Sequence, residues 1–251
     1  MSISVTVFST KAENYARYRW DYPKPAIRAI YVIAGLSAHS TIADLGAGTG
    51  ILTRHFVGKV ARLYAIEPNA AMGSWARRVV EGYPGCFVLG GCAEAIPLKA
   101  GSVELVAVAQ AIHWFDPEPV RAEIRRILKP GGWLALLRNY CTDEAHNRAI
   151  ESISTAENGF KKRDNLPGPG RTPKDFYFNH EAYSTLTYRF ILTQDWPAFI
   201  GCLLSASYAP EEDDPRYPSL EQAARGIFEH FSVGGRLDVA GETELVIGQV
   251  G

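Results

Sequence analysis

The chain has 251 residues, a formal net charge of −1, and a composition that is 47% hydrophobic and 21% charged. These values are ordinary for a globular protein with a sizeable core, and they argue against disorder across the whole chain. Because a charge this close to zero gives no overall field that would recruit nucleic acid or an anionic membrane, neither is expected as a partner.

The N-terminal segment Met1–Phe8 has neither the basic start nor the long apolar core of a secretory signal. No uncharged apolar stretch reaches the roughly 18 residues that a membrane-spanning helix needs. The four cysteines lack the paired C-x-x-C spacing of zinc and redox sites, so no metal site is predicted and reduced thiols are expected. A cytoplasmic protein is the simplest interpretation.

From about residue 40 to 140, short apolar runs alternate with helical periodicity, which is typical of β-α-β units around a parallel sheet. Helices are predicted to begin near Ile51, after the N-cap Asn69 and after the N-cap Asp116. The breaker segment Lys129–Gly132 ends the last of them. The predicted strands are Thr41–Leu45, Leu63–Ile66, Phe87–Leu89, Val103–Ala109 and Trp133–Leu137.

After residue 140 the pattern changes. A helix over Asp143–Lys162 and a loop over Asn165–Gly170 are predicted, followed by strands at Thr185–Leu192 and Thr243–Val250 and helices around Pro197–Ser207 and Leu220–His230. The predicted fold class is α/β: a Rossmann-like, mostly parallel seven-stranded sheet with helices on both faces and a partly helical cap. We expect cap helices in residues 1–37, the core in 38–140, and sheet completion plus a helical cap in 141–251.

The most informative segment is Asp44–Gly50 (Asp-Leu-Gly-Ala-Gly-Thr-Gly), which joins the first predicted strand to the helix expected near Ile51. Glycine has no Cβ, so a ligand can approach the backbone closely at this turn. The unpaired N–H groups of a helix start would face the same crevice, where α/β sheets bind ligands. The sequence therefore predicts a ligand site at the carboxyl end of the first strand.

The spacing of the glycines argues against a nicotinamide dinucleotide. Such a site needs G-x-G-x-x-G, whereas Gly46, Gly48 and Gly50 form G-x-G-x-G, and Ile51 stands where the third glycine belongs. Glu67 ends the second predicted strand, where a carboxylate can accept hydrogen bonds from both ribose hydroxyls of an adenosine group. This order of elements predicts an adenosine-containing cofactor; the alternative is a glycine turn beside a surface glutamate.

Five segments resemble the successive motifs of class I S-adenosylmethionine (SAM) dependent methyltransferases: Asp44–Gly50, Glu67–Asn69, Gly91–Leu98, Ala109–Phe115 and Leu128–Gly132. They are most similar to the small-molecule enzymes of the trans-aconitate methyltransferase-like (methyltransferase type 11) group. Residues 8–25 also resemble the cap helix of that group, except that Trp20 stands where the family often has proline. The resemblance implies a SAM-dependent enzyme whose product is S-adenosylhomocysteine.

By position, the resemblance implies which residues bind SAM. The glycines would approach its amino acid end and Glu67 its ribose, while Arg19 on the cap would pair with its carboxylate. Asn69 would lie beside the adenosine, and Gln110 and Ala111 near the methionine moiety. The full implied set is Arg19, Asp44, Gly46, Gly48, Gly50, Glu67, Asn69, Ala93, Glu94, Gln110 and Ala111, with Ala93 and Glu94 bordering the adenine.

Methyl transfer from a sulfonium is an in-line displacement, so alignment of the reactants and exclusion of water can supply much of the acceleration. Aromatic faces suit a sulfonium cation. His113 follows the fourth predicted strand and is the candidate general base; the alternative is that it only shapes the pocket. The expected substrate-pocket residues are Tyr15, Tyr18, Tyr22 and Trp114, with Phe115 a further aromatic candidate, and core packing is the alternative for each.

The predicted function is therefore SAM-dependent methylation of a small molecule, with the atom (O, N or C) left open. The competing hypothesis is a SAM-binding regulatory protein that has lost turnover. An RNA or protein methyltransferase is disfavoured by the neutral charge. Gln110–His113 also stands in place of the Asn/Asp-Pro-Pro-Tyr sequence that is common in amide- and amino-methylating families.

Overall fold

The structure is a computed structural model that describes residues 11–155, 157–158, 172, 176–178 and 183–250. The loop expected over Asn165–Gly170 and the end of the helix expected over Asp143–Lys162 lie outside the described residues. None of the helices in the described ranges has the length and apolar character needed to cross a membrane.

The strands of the described chain are β1 Thr41–Leu45, β2 Arg62–Ile66, β3 Cys86–Leu89, β4 Val103–Ala109, β5 Leu128–Cys141, β6 Tyr183–Gln194 and β7 Leu237–Gln249. They form one sheet in the order β3-β2-β1-β4-β5-β7-β6. Neighbouring strands are parallel from β3 to β5, and β7 is antiparallel to both β5 and β6. The predicted mostly parallel, seven-stranded Rossmann-like sheet is confirmed.

Helices cover both faces of this sheet. They are α1 Ala12–Tyr18, α2 Lys24–Ile33, α3 Ala70–Val80, α4 Pro117–Ile127, α5 Glu144–Ser152, α6 Trp196–Leu204 and α7 Tyr217–Phe231. Side chains alternate between the two faces of a strand, so Ile42 packs with Ile30 of α2 whereas Ala43 packs with Ile124 of α4. A third apolar cluster joins α6 and α7 to Val239 of β7.

The prediction of a helix that begins near Ile51 is wrong. The chain instead forms a short 3₁₀ turn, Thr53–His55, in which Phe56 N donates to Thr53 O at 3.0 Å. The Thr53 hydroxyl donates to Asp44 at 2.6 Å. This contact holds the turn against the end of β1. Because a 3₁₀ turn follows the glycine loop in place of an α-helix, the loop does not lead into the N-terminus of a regular helix.

Two further boundaries differ from expectation. The breaker segment Lys129–Gly132 lies inside β5, because Val103 pairs with Leu128 while Leu105 pairs with Trp133, so the segment forms an irregularity opposite Glu104. The helix expected over Asp143–Lys162 ends at Ser152. By contrast, Asn69 caps α3 as predicted, since its side chain accepts a hydrogen bond from Met72 N at 2.9 Å.

His146 of α5 is buried among aromatic rings in the third cluster. Its ring centroid lies 6.0 Å from those of both Phe199 and Phe231, and its Nδ1 has no hydrogen-bond partner within the described residues. Burial lowers the pKa of His146, and the negative charge of Asp143 offsets part of that effect. The folded chain therefore favours the neutral imidazole.

We predict that His146 makes the protein sensitive to acid. In the unfolded chain the pKa of histidine is ~6.5, whereas in the folded chain burial lowers the pKa of His146. The free energy of unfolding should therefore fall below this pH, by at most ~1.4 kcal/mol per pH unit for one group. His146→Leu should flatten the slope in urea unfolding measured between about pH 7.5 and 5, and His230→Leu, at an exposed position of α7, is the matched control. Equal slopes for wild type and His146→Leu would contradict the prediction.

Candidate active site

A cavity of about 490 Å³ opens where β1, β2 and β4 end. The chain passes from β1 to β2 on one side, while β4 lies on the other side of β1. Open α/β sheets bind ligands at such a topological switch point, at the carboxyl ends of the strands. The loops that follow these strands form most of the wall, and α1 covers part of it through Tyr15.

Gly46 and Gly48 bring bare backbone to the cavity wall. Their φ angles are +64° and +56°, in the left-handed region that glycine adopts readily. A Cβ atom on Gly46 would lie 2.6 Å from the Cβ of Ala111, so a larger residue would displace the end of β4. The N–H groups of Gly46 and Ala47 donate to Ile66 O at 2.9 and 3.1 Å, which holds the loop against β2.

The carboxylate of Glu67 is held by two backbone amides. Gly48 N donates to Oε2 and Asn69 N donates to Oε1, each at 2.9 Å. Burial raises the pKa of Glu67, and these two hydrogen bonds act in the opposite direction. Each carboxylate oxygen has a further lone pair, so Glu67 can accept hydrogen bonds from a ligand diol while it holds the loop.

Asp44 lies beneath the cavity and not in its wall. Its side chain is buried, with only 1% of the residue exposed, and Oδ2 accepts the hydrogen bond from Thr53. Burial raises the pKa of Asp44 to about 7; the charge of Glu67 adds to this rise and the hydrogen bond from Thr53 opposes it. Near neutral pH, Asp44 is thus divided between its charged and neutral forms.

Gln110 follows β4 in an unusual backbone conformation. Among the described residues it is the only non-glycine with a positive φ, +54°. Its N–H donates to Leu137 O at 3.0 Å, and its Nε2 donates to the backbone oxygen of Asn139 at 3.1 Å. Backbone strain of this kind is commonly found at functional sites, and here it accompanies a sharp turn in which Gln110 and Ala111 both line the cavity.

The cap helix α1 supplies an aromatic face and a cation. Tyr15 lines the cavity, and a Cβ on Gly48 would lie 4.0 Å from its ring. The guanidinium carbon of Arg19 is 5.2 Å from the centroid of the Tyr15 ring. The Nε of Arg19 is buried and has no hydrogen-bond partner in the described part of the chain. An anion placed beside it would provide that partner.

His113 lies in the 3₁₀ turn Ile112–Trp114, beside the cavity but outside its wall. Its ring centroid is 5.1 Å from that of Trp114. Desolvation by the surrounding protein lowers the pKa of His113 to about 4, and the positive charges of Arg138 and Arg19 add to the effect, although the side chain keeps contact with solvent. At neutral pH the imidazole is uncharged, and as a base it is weak.

Most of the residues expected to bind a cofactor lie in the cavity wall. They are Gly46, Gly48, Glu67, Asn69, Ala93, Glu94, Gln110 and Ala111; among the expected pocket residues, Tyr15 and Trp114 line it as well. Gly50 lies outside the wall, where a Cβ would come within 3.3 Å of Ala76 Cα in α3. Asp44, Arg19 and His113 lie outside the wall.

Two tyrosines expected in the pocket lie elsewhere. Tyr18 packs against Gly201 of α6, where its ring occupies the space that a Cβ would need. Tyr22 is buried in the apolar cluster formed by α2 and the sheet. Both belong to the packing of the cap and the core, which was the alternative for these aromatic residues.

The wall also contains residues that were not predicted to bind the cofactor or the substrate. Gly91 and Cys92 immediately precede the predicted Ala93 in the chain, and this is why they reach the cavity wall as well. Met72 lies three positions after Asn69, a spacing that places both on one face of a helix. Asp116 was expected only as an N-cap, yet its side chain makes no capping hydrogen bond. Its N–H instead donates to Glu94 Oε1 at 3.1 Å.

Comparisons with known proteins point to one family. Residues 43–136 match the family model described as a methyltransferase domain. The chain is 39% identical over 139 residues to an uncharacterised methyltransferase of Mycobacterium tuberculosis, a match that covers 55% of this chain and 53% of that one. The matched segment therefore spans about half the length of this relative.

Two solved structures share the fold over nearly the whole chain. The YcgJ protein from Bacillus subtilis matches with a TM-score of 0.57 at 17% identity, covering 90% of this chain and 98% of that one. A SAM-dependent methyltransferase from Thiobacillus denitrificans, solved in complex with S-adenosyl-L-homocysteine, matches with a TM-score of 0.53 at 13% identity, covering 97% and 98%. At these identities the likeness establishes the fold.

We predict that the buried Asp44 lowers the free energy of unfolding as the pH rises. Its folded pKa of about 7 exceeds the ordinary aspartate value of 3.8, so between these values the folded chain holds a proton that the unfolded chain has lost. The free energy of unfolding should therefore fall as pH rises from about 4 to 7, by at most ~4 kcal/mol. Asp44→Asn should become progressively more stable relative to wild type over that range in urea unfolding.

The exposed Asp213→Asn is the matched control for this experiment, since it removes a carboxyl group that solvent already covers. A difference between wild type and Asp44→Asn that stays constant with pH would show that burial does not raise the pKa of Asp44.

Proposed function

We propose that the chain is a class I SAM-dependent methyltransferase that transfers the methyl group of SAM to a small-molecule acceptor and releases S-adenosylhomocysteine. One observation carries this proposal. A carboxylate with spare lone pairs, Glu67, lies between a glycine loop and α3 in a cavity at the switch point of the sheet. This is the arrangement that a ribose diol requires.

The charges in the wall support a cationic cofactor. Three carboxylates line the cavity, those of Glu67, Glu94 and Asp116, and no Lys or Arg does so in the described ranges. An anionic pyrophosphate would be repelled by these groups, whereas the sulfonium of SAM is positive. Aromatic faces also attract a cation, and Tyr15 and Trp114 supply them.

The individual roles follow from the family resemblance and from this geometry. We assign Glu67 to the ribose and the backbone of Gly46 and Gly48 to the amino acid end of SAM. Arg19, whose buried Nε has no partner among described residues, is suited to the SAM carboxylate. The remaining contacts of the cofactor are assigned to Asn69, Ala93, Glu94, Gln110 and Ala111, with Met72 as an apolar neighbour.

We place the acceptor on the sulfonium side of the cofactor, under the N-terminal cap helices α1 and α2 and the helices that follow β5. A sulfonium transfers its methyl group in line, so the protein must hold the acceptor opposite the sulfur and exclude water. A small metabolite of the kind used by the trans-aconitate-like group, methylated in the cytoplasm, fits the absence of a net charge that would attract nucleic acid. A carboxylate acceptor would need no general base.

The second candidate is a SAM-binding regulatory protein without turnover. One observation favours it: a His113 whose pKa is about 4 is a weak base. Incubation of the chain with isotopically labelled SAM and a metabolite pool separates the two functions, since only the enzyme transfers label to an acceptor.

We predict that Glu67→Ala weakens binding of S-adenosylhomocysteine by about 1–3 kcal/mol, because the charged hydrogen bonds to the ribose are lost. Isothermal calorimetry measures the affinity. Glu118→Ala, an exposed position outside the cavity wall, is the control. Unaltered affinity in Glu67→Ala would remove this residue from the site.

For His113→Ala we predict slower transfer of label from SAM, with the affinity for S-adenosylhomocysteine within twofold of wild type. Because the pKa of His113 is about 4, the wild-type rate should be independent of pH between about 6 and 8 and fall only toward acid, where the imidazole gains a proton. Intact turnover in His113→Ala would leave His113 as a residue that only shapes the pocket.

A further inference from the structure

We propose that Asn139 is a positioning residue that couples the seating of the cap helix α1 to the cofactor cavity. It does so through hydrogen bonds to the segment that follows α1 and to Gln110 in the cavity wall. The inference rests on the proposed function, because its consequence is measured through the cofactor.

The side chain of Asn139, on β5, reaches the backbone of the cap. Its Nδ2 donates to Asp21 O at 3.3 Å and makes a longer contact with Trp20 O at 3.5 Å. Its Oδ1 accepts a hydrogen bond from the Thr243 hydroxyl of β7 at 2.6 Å. Thr243 is fully buried, so this bond fixes the orientation of the amide and directs its N–H groups toward the cap.

The backbone of the same residue reaches the cavity wall. Asn139 O accepts the hydrogen bond from Gln110 Nε2 at 3.1 Å. Gln110 adopts a strained positive φ, and this bond helps to hold it there. One residue of β5 is therefore bonded both to the segment that carries α1 and to the turn that lines the cavity.

The segment after α1 is held on its other side by the glycine loop. The carboxylate of Asp21 accepts from Tyr22 N at 2.8 Å and pairs with Arg54 Nη2 at 2.8 Å and His55 Nε2 at 2.7 Å. Arg54 and His55 belong to the turn that follows the glycine loop. Asp21 thus joins the cap to the turn that follows the glycine loop, and Asn139 joins it to Gln110 in the cavity wall.

These two anchors hold the C-terminal end of α1, while Tyr18 packs the helix against Gly201 of α6. The helix has only seven residues, and helices this short are not stable by themselves. Its Tyr15 lines the cavity beside Gly48, and Arg19 at its end carries the unpartnered Nε. Loss of the Asn139 anchor would remove one of the contacts that hold the segment at Trp20 and Asp21, so Tyr15 in the cavity wall and Arg19 beside it would be held less firmly.

Asn139→Leu in the full-length chain tests the proposal, with S-adenosylhomocysteine as the probe. We expect about three- to tenfold weaker binding by calorimetry, the size of effect that one or two neutral hydrogen bonds produce. Hydrogen–deuterium exchange of residues 12–22 should be faster in the unliganded variant, and the slowing of that exchange by S-adenosylhomocysteine should be reduced. A merely structural role would accelerate exchange in β5 and β7 as much as in α1.

Asn147→Leu is the matched control, because its Nδ2 also donates to a backbone oxygen of β5, that of Cys141 at 3.0 Å, but makes no hydrogen bond to α1, to residues 19–22 or to Gln110 among the described residues. It should leave affinity and the exchange of α1 within twofold of wild type. Asn139→Asp, which keeps Oδ1 for Thr243 but removes the donors, should behave as Asn139→Leu does and covers the case in which the leucine variant fails to fold.

Wild-type affinity together with wild-type exchange of residues 12–22 in Asn139→Asp would overturn the proposal. If the wild-type chain itself does not bind S-adenosylhomocysteine, it is the proposed function that fails. The exchange of unliganded α1 then still decides whether Asn139 seats the cap.

Discussion

The structure of the site depends on the carboxylate of Glu67 and on the hydrogen bonds that it accepts from two backbone amides. The bonds from Gly48 and Asn69 connect the loop after β1 to the start of α3 after β2. They add to the bonds from Gly46 N and Ala47 N to Ile66 O, which hold the glycine loop against the end of β2. With them, the glycine loop, the N-cap of α3 and the ligand-binding carboxylate form one unit, and a single side chain both shapes the cavity and presents its charge to a ligand.

That arrangement has an electrostatic consequence. Asp44 is buried close enough for the charge of Glu67 to help raise its pKa, and Glu94 and Asp116 add further carboxylates to the wall. A cation in the cavity would offset the repulsion between such groups, since charges interact strongly where water is excluded. The carboxylates of the wall therefore favour a positively charged ligand, and this accords with the proposed function.

The sequence predicts the parts of the fold that depend on local pattern. β1 and β4 have the expected bounds because both are short, mostly apolar runs, and Asn69 caps α3 because an amide side chain can bond the first turn of its own helix. The 3₁₀ turn after Gly50 was missed because it depends on the contact between Thr53 and Asp44, which no periodicity reveals. The length of β5 likewise depends on its pairing with β4 across an irregularity at Lys129–Gly132.

In the site, sequence motifs identify the loops that follow the strands but not the direction of each side chain. Tyr15 and Tyr22 are similar candidates in the sequence; the fold places one in the cavity wall and the other in the core. The contacts of Asn139 with Trp20 and Asp21 join residues more than 100 positions apart, so they depend on the completed sheet.

Titration of the purified wild-type chain with S-adenosylhomocysteine tests the central claim most directly, with NAD⁺ titrated in parallel. A cavity built around Glu67 for an adenosyl sulfonium predicts saturable, one-to-one binding of S-adenosylhomocysteine and no measurable binding of the anionic dinucleotide. Binding of NAD⁺ in its place, or no uptake of S-adenosylhomocysteine at any concentration, would contradict the account.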